Sequence, residues 1–236
     1  MAGLGRSKFT LPLQLTTDLQ LERQFAICLP STSTAPGVAF FGSGPFFLLP
    51  PPGRDITGIL SYTPLIKNPT CPDYYIDVQA IAVGSKVLCF LARVLMFDVL
   101  GHGGVKLSTV TPYTTLKRHI YWPFLKAFAN ATKGIPRAPK VKPFDLCLNT
   151  STLASIRLGL NVPQIDLMLA LMKQMGGDVA CLAVVNGGGK AEQAAVIGSY
   201  QLEDNFLSFD LDKKMLGFSS TFLSFESTSS NFNFKS

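Results

Sequence analysis

Short apolar runs separated by turn-forming residues dominate the pattern of hydrophobic and polar positions along the chain. Residues 73–82 alternate with period two, and the turn Val-Gly-Ser-Lys at 83–86 leads into the apolar run Val87 to Leu95. This arrangement predicts a β-hairpin. Residues 61–69 read as a further strand that ends in a turn.

The second half of the chain has the same texture. Residues 179–185 and 194–197 are apolar enough to predict short buried strands, and residues 206–211 and 216–218 flank a turn at 212–214. Twenty Gly and 16 Pro accompany these runs. Frequent turns between short strands predict a mainly β architecture.

Two segments have helical spacing instead. Apolar residues from Tyr113 to Ala131 recur at helical intervals, and Pro123 is expected to divide that helix into two pieces. The segment from Gln164 to Met175 is a second candidate, ended by Gly176 and Gly177. Residues 30–53 are predicted to be irregular, and the tail from residue 226 to residue 236 is rich in Ser and Asn.

Composition excludes several classes of protein. Hydrophobic residues make up 47% of the 236 positions and charged residues 15%, so the chain can build a core and is not disordered overall. The most apolar stretch, Val87 to Leu100, is too short for a membrane span and contains Arg93 and Asp98. Residues 1–15 lack the pattern of a signal peptide.

Charge and cysteine content give weaker indications. The net charge is +6 (21 − 15), which favours anionic partners slightly. Five Cys leave at least one thiol unpaired if the chain is secreted. Two His and no C-x-x-C pair predict no metal site, and no motif predicts a cofactor.

Three glycine-rich motifs resemble catalytic or phosphate-binding loops without completing them. They are Gly42-Ser43-Gly44, His102-Gly103-Gly104 and Gly187-Gly188-Gly189-Lys190. Each is interpreted as a tight turn, because the residues that such chemistry requires around it are missing.

The basic run of Lys133, Arg137, Lys140 and Lys142 could bind an anionic polymer. It lacks the interleaved aromatic residues that stack on bases. It is interpreted as a solvated loop, and no nucleic-acid or membrane partner is predicted.

Aspartic proteases use two Asp that share a proton, each in an Asp-Thr-Gly or Asp-Ser-Gly turn. The sequence contains neither tripeptide, and the near match Asp55-Ile56-Thr57-Gly58 has one residue too many. The near match is interpreted as a surface loop. Two sequons, at Asn130 and Asn149, are candidate glycosylation sites if the chain is secreted.

Several stretches of the chain resemble one family. Residues 195–218, AVIGSYQLEDNFLSFDLDKKMLGF, resemble the closing segment of a pepsin-like lobe, in the version found in plant basic 7S globulins and xylanase inhibitors. The other stretches that agree with the family are 1–15, 25–32, 37–50, 62–69, 73–81, 107–116, 162–167 and 231–234.

The resemblance implies a bilobal, pepsin-like β fold that is usually inactive as a protease. Residues 107–111 resemble the second catalytic turn of that fold, with Ser108 where an active protease has Asp and Val110 where it has Gly. Thr109 lies between them. A serine hydroxyl cannot replace the carboxylate that shares the proton, so no catalytic residue is predicted.

Residues 1–5 match the family near the end of its N-terminal lobe. The expected organisation is therefore the end of that lobe and an inter-lobe segment at 1–60, then the C-terminal lobe at 61–236, in a truncated chain.

The resemblance also implies a disulfide between Cys147 and Cys181. The family's Cys before Asn-Phe-Asn-Phe is replaced by Ser229, which would leave its partner Cys28 unpaired. Cys71 and Cys89 have no family role.

The function implied by the resemblance is that of a non-catalytic, extracellular plant protein of the apoplast or cell wall. Its expected partners are microbial cell-wall glycoside hydrolases such as xylanases and xyloglucanases. The absence of a signal-peptide pattern leaves the localisation open. The inhibitory His of the xylanase inhibitors has no counterpart in residues 222–229. The alternatives are an aspartic endopeptidase, and a non-functional or storage-type remnant.

Overall fold

The computed structural model describes residues 3–48, 53–84, 86–88, 94–151, 171–173, 178–219, 228–230 and 232. The chain forms two compact units. Unit 1 comprises Met1–Asp77 and Leu202–Ser236, and unit 2 comprises Val78–Gln201.

The strands of the described residues are, in chain order, β1 (Gln24–Cys28), β2 (Val38–Phe41), β3 (Phe47–Leu48), β4 (Arg54–Asp55), β5 (Ser61–Ile66), β6 (Tyr75–Ile76), β7 (Ile81–Val83), β8 (Lys86–Leu88), β9 (Val105–Leu107), β10 (Thr114–Leu116), β11 (Arg137–Ala138), β12 (Cys147–Asn149), β13 (Leu171–Lys173), β14 (Val179–Leu182), β15 (Val184–Asn186), β16 (Ala195–Ile197), β17 (Phe206–Asp210) and β18 (Met215–Phe218). The helices are α1 (Leu11–Asp18), α2 (Arg118–Ala131) and α3 (Ser199–Leu202), with a 3₁₀ turn at Thr57–Ile59. The mainly β prediction is confirmed.

Unit 1 is built on an antiparallel sheet in the order β6-β5-β18-β17-β1-β2. The central strands β1 and β17 are buried on both faces, because apolar side chains occupy successive positions rather than alternate ones. On one face, Phe25 and its register partner Phe209 stack with ring centroids 4.6 Å apart. A second apolar cluster of the unit gathers Ala26, Cys28, Phe46, Leu48, Ile56, Phe206 and Phe232.

Two predictions for unit 1 are confirmed. The hairpin of β17 and β18 turns at residues 211–214, where Lys214 has a positive φ of 54° and Asp210 accepts a bond from the amide of Lys213. Residues 61–66 form β5. Residues 30–53 are less irregular than predicted, because β2 pairs with β1 and β3 pairs with β4.

The described strands of unit 2 form two four-stranded groups and one hairpin. In the first, β16 pairs parallel to β9 and antiparallel to β10, which in turn pairs parallel to β15. The second has the order β11-β12-β14-β13 and is antiparallel throughout. The predicted hairpin around residues 83–86 is confirmed as β7 and β8, and Gly84 supplies a positive φ in its turn.

The prediction of a helix from Tyr113 to Ala131 is wrong in its first part. Residues 114–116 form β10, and α2 begins at Arg118. The prediction that Pro123 divides the helix is also wrong, because α2 continues through it. The missing amide of Pro123 costs one intrahelical bond. Burial of Ile120, Phe124 and Phe128 along one face offsets that loss.

The prediction of a helix from Gln164 to Met175 is wrong where it can be compared. Residues 171–173 form β13, paired with β14. A short continuous apolar run fits either a buried helix or a strand, and here the open edge of β14 selects the strand. Residues 164–170 and 174–177 lie outside the described residues, as does most of the tail. Among the described residues, no helix has the length and apolar character needed to cross a bilayer.

Candidate functional site

The turn that follows β9 in unit 2 is the candidate site, because it holds Ser108, Thr109 and Val110. β9 delivers the chain to Ser108, whose backbone amide donates a hydrogen bond to the carbonyl of Ile197 in the neighbouring β16 (2.9 Å). The chain then leaves through Pro112 into β10. The turn therefore lies between the strands β9 and β10, which both pair with β16.

The hydroxyl of Ser108 organises this turn. Its Oγ accepts hydrogen bonds from the amides of Thr111 (3.0 Å) and Val110 (3.3 Å) and donates to the Oγ1 of Thr111 (3.1 Å). All these bonds stay within four residues, and Val110 itself is 73% exposed. The hydroxyl of Ser108 therefore stabilises a turn that is closed by its own hydrogen bonds.

Gly198, which directly follows β16, packs closely against the backbone of the same turn. A Cβ at this position would lie 2.5 Å from the carbonyl carbon of Tyr113 and 2.8 Å from the carbonyl oxygen of Thr111. The next two amides, of Ser199 and Tyr200, donate to the carbonyls of Thr111 (2.8 Å) and Pro112 (3.0 Å). Only a glycine allows this approach, so the apolar-apolar-Gly segment Val196-Ile197-Gly198 fixes the conformation of the turn.

This arrangement limits the chemistry of the turn. The two amides that point at position 108 could stabilise a negative charge there, but a serine hydroxyl carries none. The partners of the Ser108 hydroxyl among the described residues are the groups of its own turn. Nucleophilic use of a serine requires an adjacent base that takes its proton, and none of these partners is one.

Asp55 ends β4 in unit 1, just before the 3₁₀ turn at Thr57–Ile59. The prediction of a surface loop at residues 55–58 is wrong at Asp55, which is in a strand, and at Ile56, which is fully buried. Its carboxylate accepts bonds from the amides of Phe46 (3.3 Å) and Thr57 (3.0 Å) and from the hydroxyl of Thr57 (2.7 Å). Burial opposes ionisation of this carboxyl, but the three hydrogen bonds outweigh it and lower its pKa. Asp55 therefore links the backbone at Phe46 to the start of the 3₁₀ turn at Thr57.

Cys147 and Cys181 face each other across β12 and β14 and form a disulfide. The bond lies in an apolar cluster with Phe144 and Ala183. Cys28 and Cys71 are free, the first fully buried and the second partly exposed. Cys89 lies outside the described residues.

The two sequons lie on the surface of unit 2. Asn130 is exposed near the end of α2, where Thr132 donates its hydroxyl to the carbonyl of Phe128 (2.8 Å). Asn149 ends β12, and its Oδ1 accepts from the amide (3.0 Å) and the hydroxyl (2.6 Å) of Ser151.

The glycine-rich motifs form tight turns, as predicted, although Gly42 and Gly104 are buried. The four residues of the basic run are exposed, but the prediction of a loop is wrong at Arg137, which lies in β11. Gly42, Gly103, Gly104 and Gly188 have the positive φ of tight turns. In the basic run, Arg137 donates to the hydroxyl of Thr132 (2.9 Å) and to the carbonyl of Ala129 (2.7 Å). It thereby caps the end of α2.

The acidic pair Glu203 and Asp204 was missed by sequence reasoning. Asp204 is 1% exposed, and its Oδ1 accepts a hydrogen bond from the amide of Ser229 (3.1 Å), whereas its Oδ2 has no hydrogen-bond partner among the described residues. Burial and the charge of Asp204 raise the pKa of Glu203 to about 7 and also raise the pKa of Cys28. The sequence signal that could have revealed this site was Asp204-Asn205 after a short helix. Asp and Asn tolerate the left-handed backbone conformation, and Asp204 has a φ of 52°.

An apolar loop between Phe97 and Gly103, closed by hydrogen bonds to Asp98, was also missed. The Oδ1 of Asp98 accepts bonds from the amides of Leu100 (2.9 Å) and His102 (2.8 Å), and Gly101 has a φ of 80°. Val99 is 96% exposed and Leu100 is 63% exposed. The sequence signal was Asp followed by Gly three positions later, which is typical of a tight turn.

One cavity and the acidic and metal-ligating side chains of the described residues form no further site. A shallow cavity of about 200 Å³ in unit 1 is lined by charged groups that pair with each other, Arg23 with Asp212 (3.4 Å) and Lys213 with Asp210 (3.0 Å). Within the described part of the chain, no group of three His, Cys, Asp or Glu residues could hold a metal ion.

Family models match both parts of the chain. The model described as xylanase inhibitor C-terminal matches residues 73–220, and the model described as xylanase inhibitor N-terminal matches residues 1–43. The boundary after residue 60 stays a prediction.

Curated relatives agree. The chain is 38% identical to a protein of Nicotiana benthamiana named probable aspartic proteinase GIP2, over 100% of the chain and 59% of the relative. It is 38% identical to chitinase CLP of Oryza sativa subsp. japonica (99% and 58%) and 30% identical to basic 7S globulin 2 of Glycine max (94% and 53%). The chain thus spans somewhat more than half the length of these relatives.

Solved structures are similar over nearly the whole chain. The crystal structure of edgp matches with a TM-score of 0.86 and 32% identity, covering 100% of this chain and 63% of that one. Conglutin gamma from lupine seeds matches with a TM-score of 0.75 and 28% identity, covering 97% and 59%. With the apolar-apolar-Gly strand and the Ser108 turn that it fastens, these matches show that the chain belongs to the xylanase-inhibitor and basic 7S globulin family, whose fold is of the pepsin-like, aspartic-protease type.

Proposed function

We propose that this protein is a non-catalytic member of its family that binds and inhibits microbial cell-wall glycoside hydrolases, of the xylanase and xyloglucanase class, outside the cell. The observation that carries the proposal is the Ser108 turn. The turn keeps two amide donors aimed at position 108 but presents a hydroxyl there, already bonded to Thr111. Proteolysis by a shared proton requires a carboxylate at such a position.

The apolar loop at residues 98–102 supports a binding role. Val99 and Leu100 are held in solvent by the Asp98 turn, so docking them would require little further ordering of the chain. Exposed apolar side chains on a rigid loop are suitable anchors for the pocket of a partner protein. The family model's name supports the choice of glycoside hydrolases as partners.

The test is an inhibition assay against a panel of microbial xylanases and xyloglucanases. The full chain is expected to lower the rate of at least one enzyme in proportion to its concentration. The double variant V99S/L100S should weaken that inhibition about tenfold or more, as expected for the loss of an anchor. The matched control V87S, at an exposed valine of β8, should inhibit normally. Full activity of every enzyme in the panel would refute inhibition.

The protease alternative is tested separately. Two relatives are named probable aspartic proteinases, so acid-pH cleavage of a denatured protein should be measured with and without pepstatin. We expect no pepstatin-sensitive cleavage. Such cleavage by the unmodified chain would overturn the non-catalytic assignment, whatever the inhibition assay shows. The remnant alternative predicts no cooperative melt, so a sharp unfolding transition would count against it.

A further inference from the structure

The outward face of α2 carries an aromatic side chain between two cations. Arg118, Trp122 and Lys126 are each one helical turn apart and all exposed, and Trp122 is 51% exposed. Positions four residues apart lie on the same face, and the three span about 12 Å along the helix axis. We call Arg118, Trp122 and Lys126 the α2 stripe.

The cations of the α2 stripe are free to meet a ligand. Neither the guanidinium of Arg118 nor the ammonium of Lys126 forms an ion pair with a described residue. The sequence of α2 contains no Asp or Glu. A third cation lies on a neighbouring turn. The backbone amide of Arg118 donates a hydrogen bond to the carbonyl of Gly188 (3.0 Å), and the turn that contains Gly188 also carries the exposed Lys190. The one acid close in sequence to that turn is the exposed Glu192.

The indole of Trp122 is held in place. It packs edge to face against Tyr121, with ring centroids 5.3 Å apart and planes 70° apart. Tyr121 is buried, and its hydroxyl donates to the Oδ2 of Asp145 (2.7 Å). Pro123 follows immediately and restricts the backbone. A preorganised flat ring loses little freedom when a ligand covers it.

We propose that the α2 stripe binds an acidic polysaccharide, a chain of uronic acid residues such as polygalacturonate. The apolar face of one sugar ring would stack on the indole, and carboxylates of the neighbouring sugars would meet Arg118 and Lys126. Arg is suited to carboxylates because its guanidinium donates two parallel bonds. The net charge of +6 favours the approach of such a polyanion. A single-stranded nucleic acid fits less well, because it stacks successive bases on several aromatic residues, and the stripe has one.

The test uses Trp122 as its own probe, since it is the one tryptophan of the 236 residues. Oligogalacturonate added to the full chain should change the tryptophan emission in a saturable way, and added salt should weaken the binding. The same oligomer with its carboxylates fully methyl-esterified should produce little change. An equal response to both forms would overturn the proposal.

Variants measured by retention on immobilised polygalacturonate separate the stripe from general charge. R118Q/K126Q and W122A should each bind about tenfold more weakly, because removing central Arg or Trp anchors has effects of this size. K8Q/K67Q removes two exposed lysines that lie outside the helices and strands of unit 1 and should bind like the unmodified chain. Equal weakening by K8Q/K67Q would overturn the proposal. So would tighter binding of single-stranded RNA, or of vesicles of anionic phospholipid, to the same stripe. Matching unfolding curves for all variants will confirm that they fold.

Discussion

Glu203 is a titratable residue whose behaviour should be visible in the stability of the protein. Its pKa is raised from 4.5 to about 7 by burial and by the charge of Asp204. The folded protein therefore binds a proton more tightly than the unfolded chain does. Its contribution to stability is complete below pH 4.5 and is lost as the pH rises through about 7. We predict that E203Q reduces the decrease of stability with pH in this range, because a glutamine side chain does not titrate there.

Thermal unfolding of the unmodified chain and E203Q between pH 4.5 and 8 measures the effect. The melting temperature of the unmodified chain should fall over this range more steeply than that of E203Q. The control E192Q removes an exposed carboxyl and should retain the original slope. Identical slopes for E203Q and the unmodified chain would show that Glu203 does not titrate in this window.

Ser229 lies where the family resemblance places a cysteine, and it shares two neighbours with Cys28, namely Asp204 and the segment Pro36 to Val38. Both residues are fully buried. The amide of Ser229 donates a hydrogen bond to Asp204 (3.1 Å), and the charge of Asp204 raises the pKa of Cys28. The hydroxyl of Ser229 donates to the carbonyl of Pro36 (3.3 Å), which lies two residues before Val38, the register partner of Cys28. We predict that S229C forms a disulfide with Cys28 and stabilises the fold by about 2–4 kcal/mol.

Thiol titration and denaturant unfolding check this prediction. S229C should have one free thiol fewer than the unmodified chain when both are unfolded without reductant. The variant C28A/S229C supplies the same new thiol without a partner, so it should gain no stability. An additional free thiol in S229C would mean that the two sulfur atoms cannot meet.

At the scale of secondary-structure elements, Gly198 decides how β16 holds the Ser108 turn. An added methyl group would meet the backbone of Tyr113 at 2.5 Å and of Thr111 at 2.8 Å. Backbone atoms cannot yield as a flexible side chain can. We predict that G198A destabilises the protein by about 2 kcal/mol or more, as an overpacked site does.

Urea unfolding of G198A should be compared with that of G189A. A Cβ at Gly189 would meet nothing within 4 Å, so G189A should change stability by no more than about 0.5 kcal/mol. If G198A were as stable as G189A, the close approach between β16 and the Ser108 turn would be wrong.

The elements also show what local sequence can and cannot reveal. The hairpin of β17 and β18 was predictable because its turn and its apolar strands agree. β10 was not, because Tyr113 and Leu116 continue the helical spacing of α2, and only pairing with β15 and β16 makes residues 114–116 a strand. α1 was missed, although Thr10 and Pro12 are typical of a helix start.

At the scale of the whole molecule, motif order was more informative than periodicity. The mainly β fold and the family were predictable because segments such as residues 195–218 are specific together. The position of the Ser108 turn followed from the same resemblance. The close approach of Gly198 to that turn and the burial of Asp204 against Leu29 and Ser229 depend on contacts between distant parts of the chain, which residue spacing does not encode.

The proposal that the protein is non-catalytic leads to a prediction for the whole molecule, which one substitution, S108D, can test. The amides of Val110 and Thr111 that now bond the Ser108 hydroxyl would also stabilise a carboxylate, so we expect the fold to accept S108D. Proteolysis by this chemistry needs two carboxylates that share a proton, and S108D supplies one. We predict that S108D folds, retains any inhibition of glycoside hydrolases and cleaves no denatured protein at acid pH. S108A, which lacks the hydroxyl acceptor, should be less stable than S108D. Pepstatin-sensitive cleavage by S108D would show that a second carboxylate already stands in place, and that the protein lies one substitution away from being a protease.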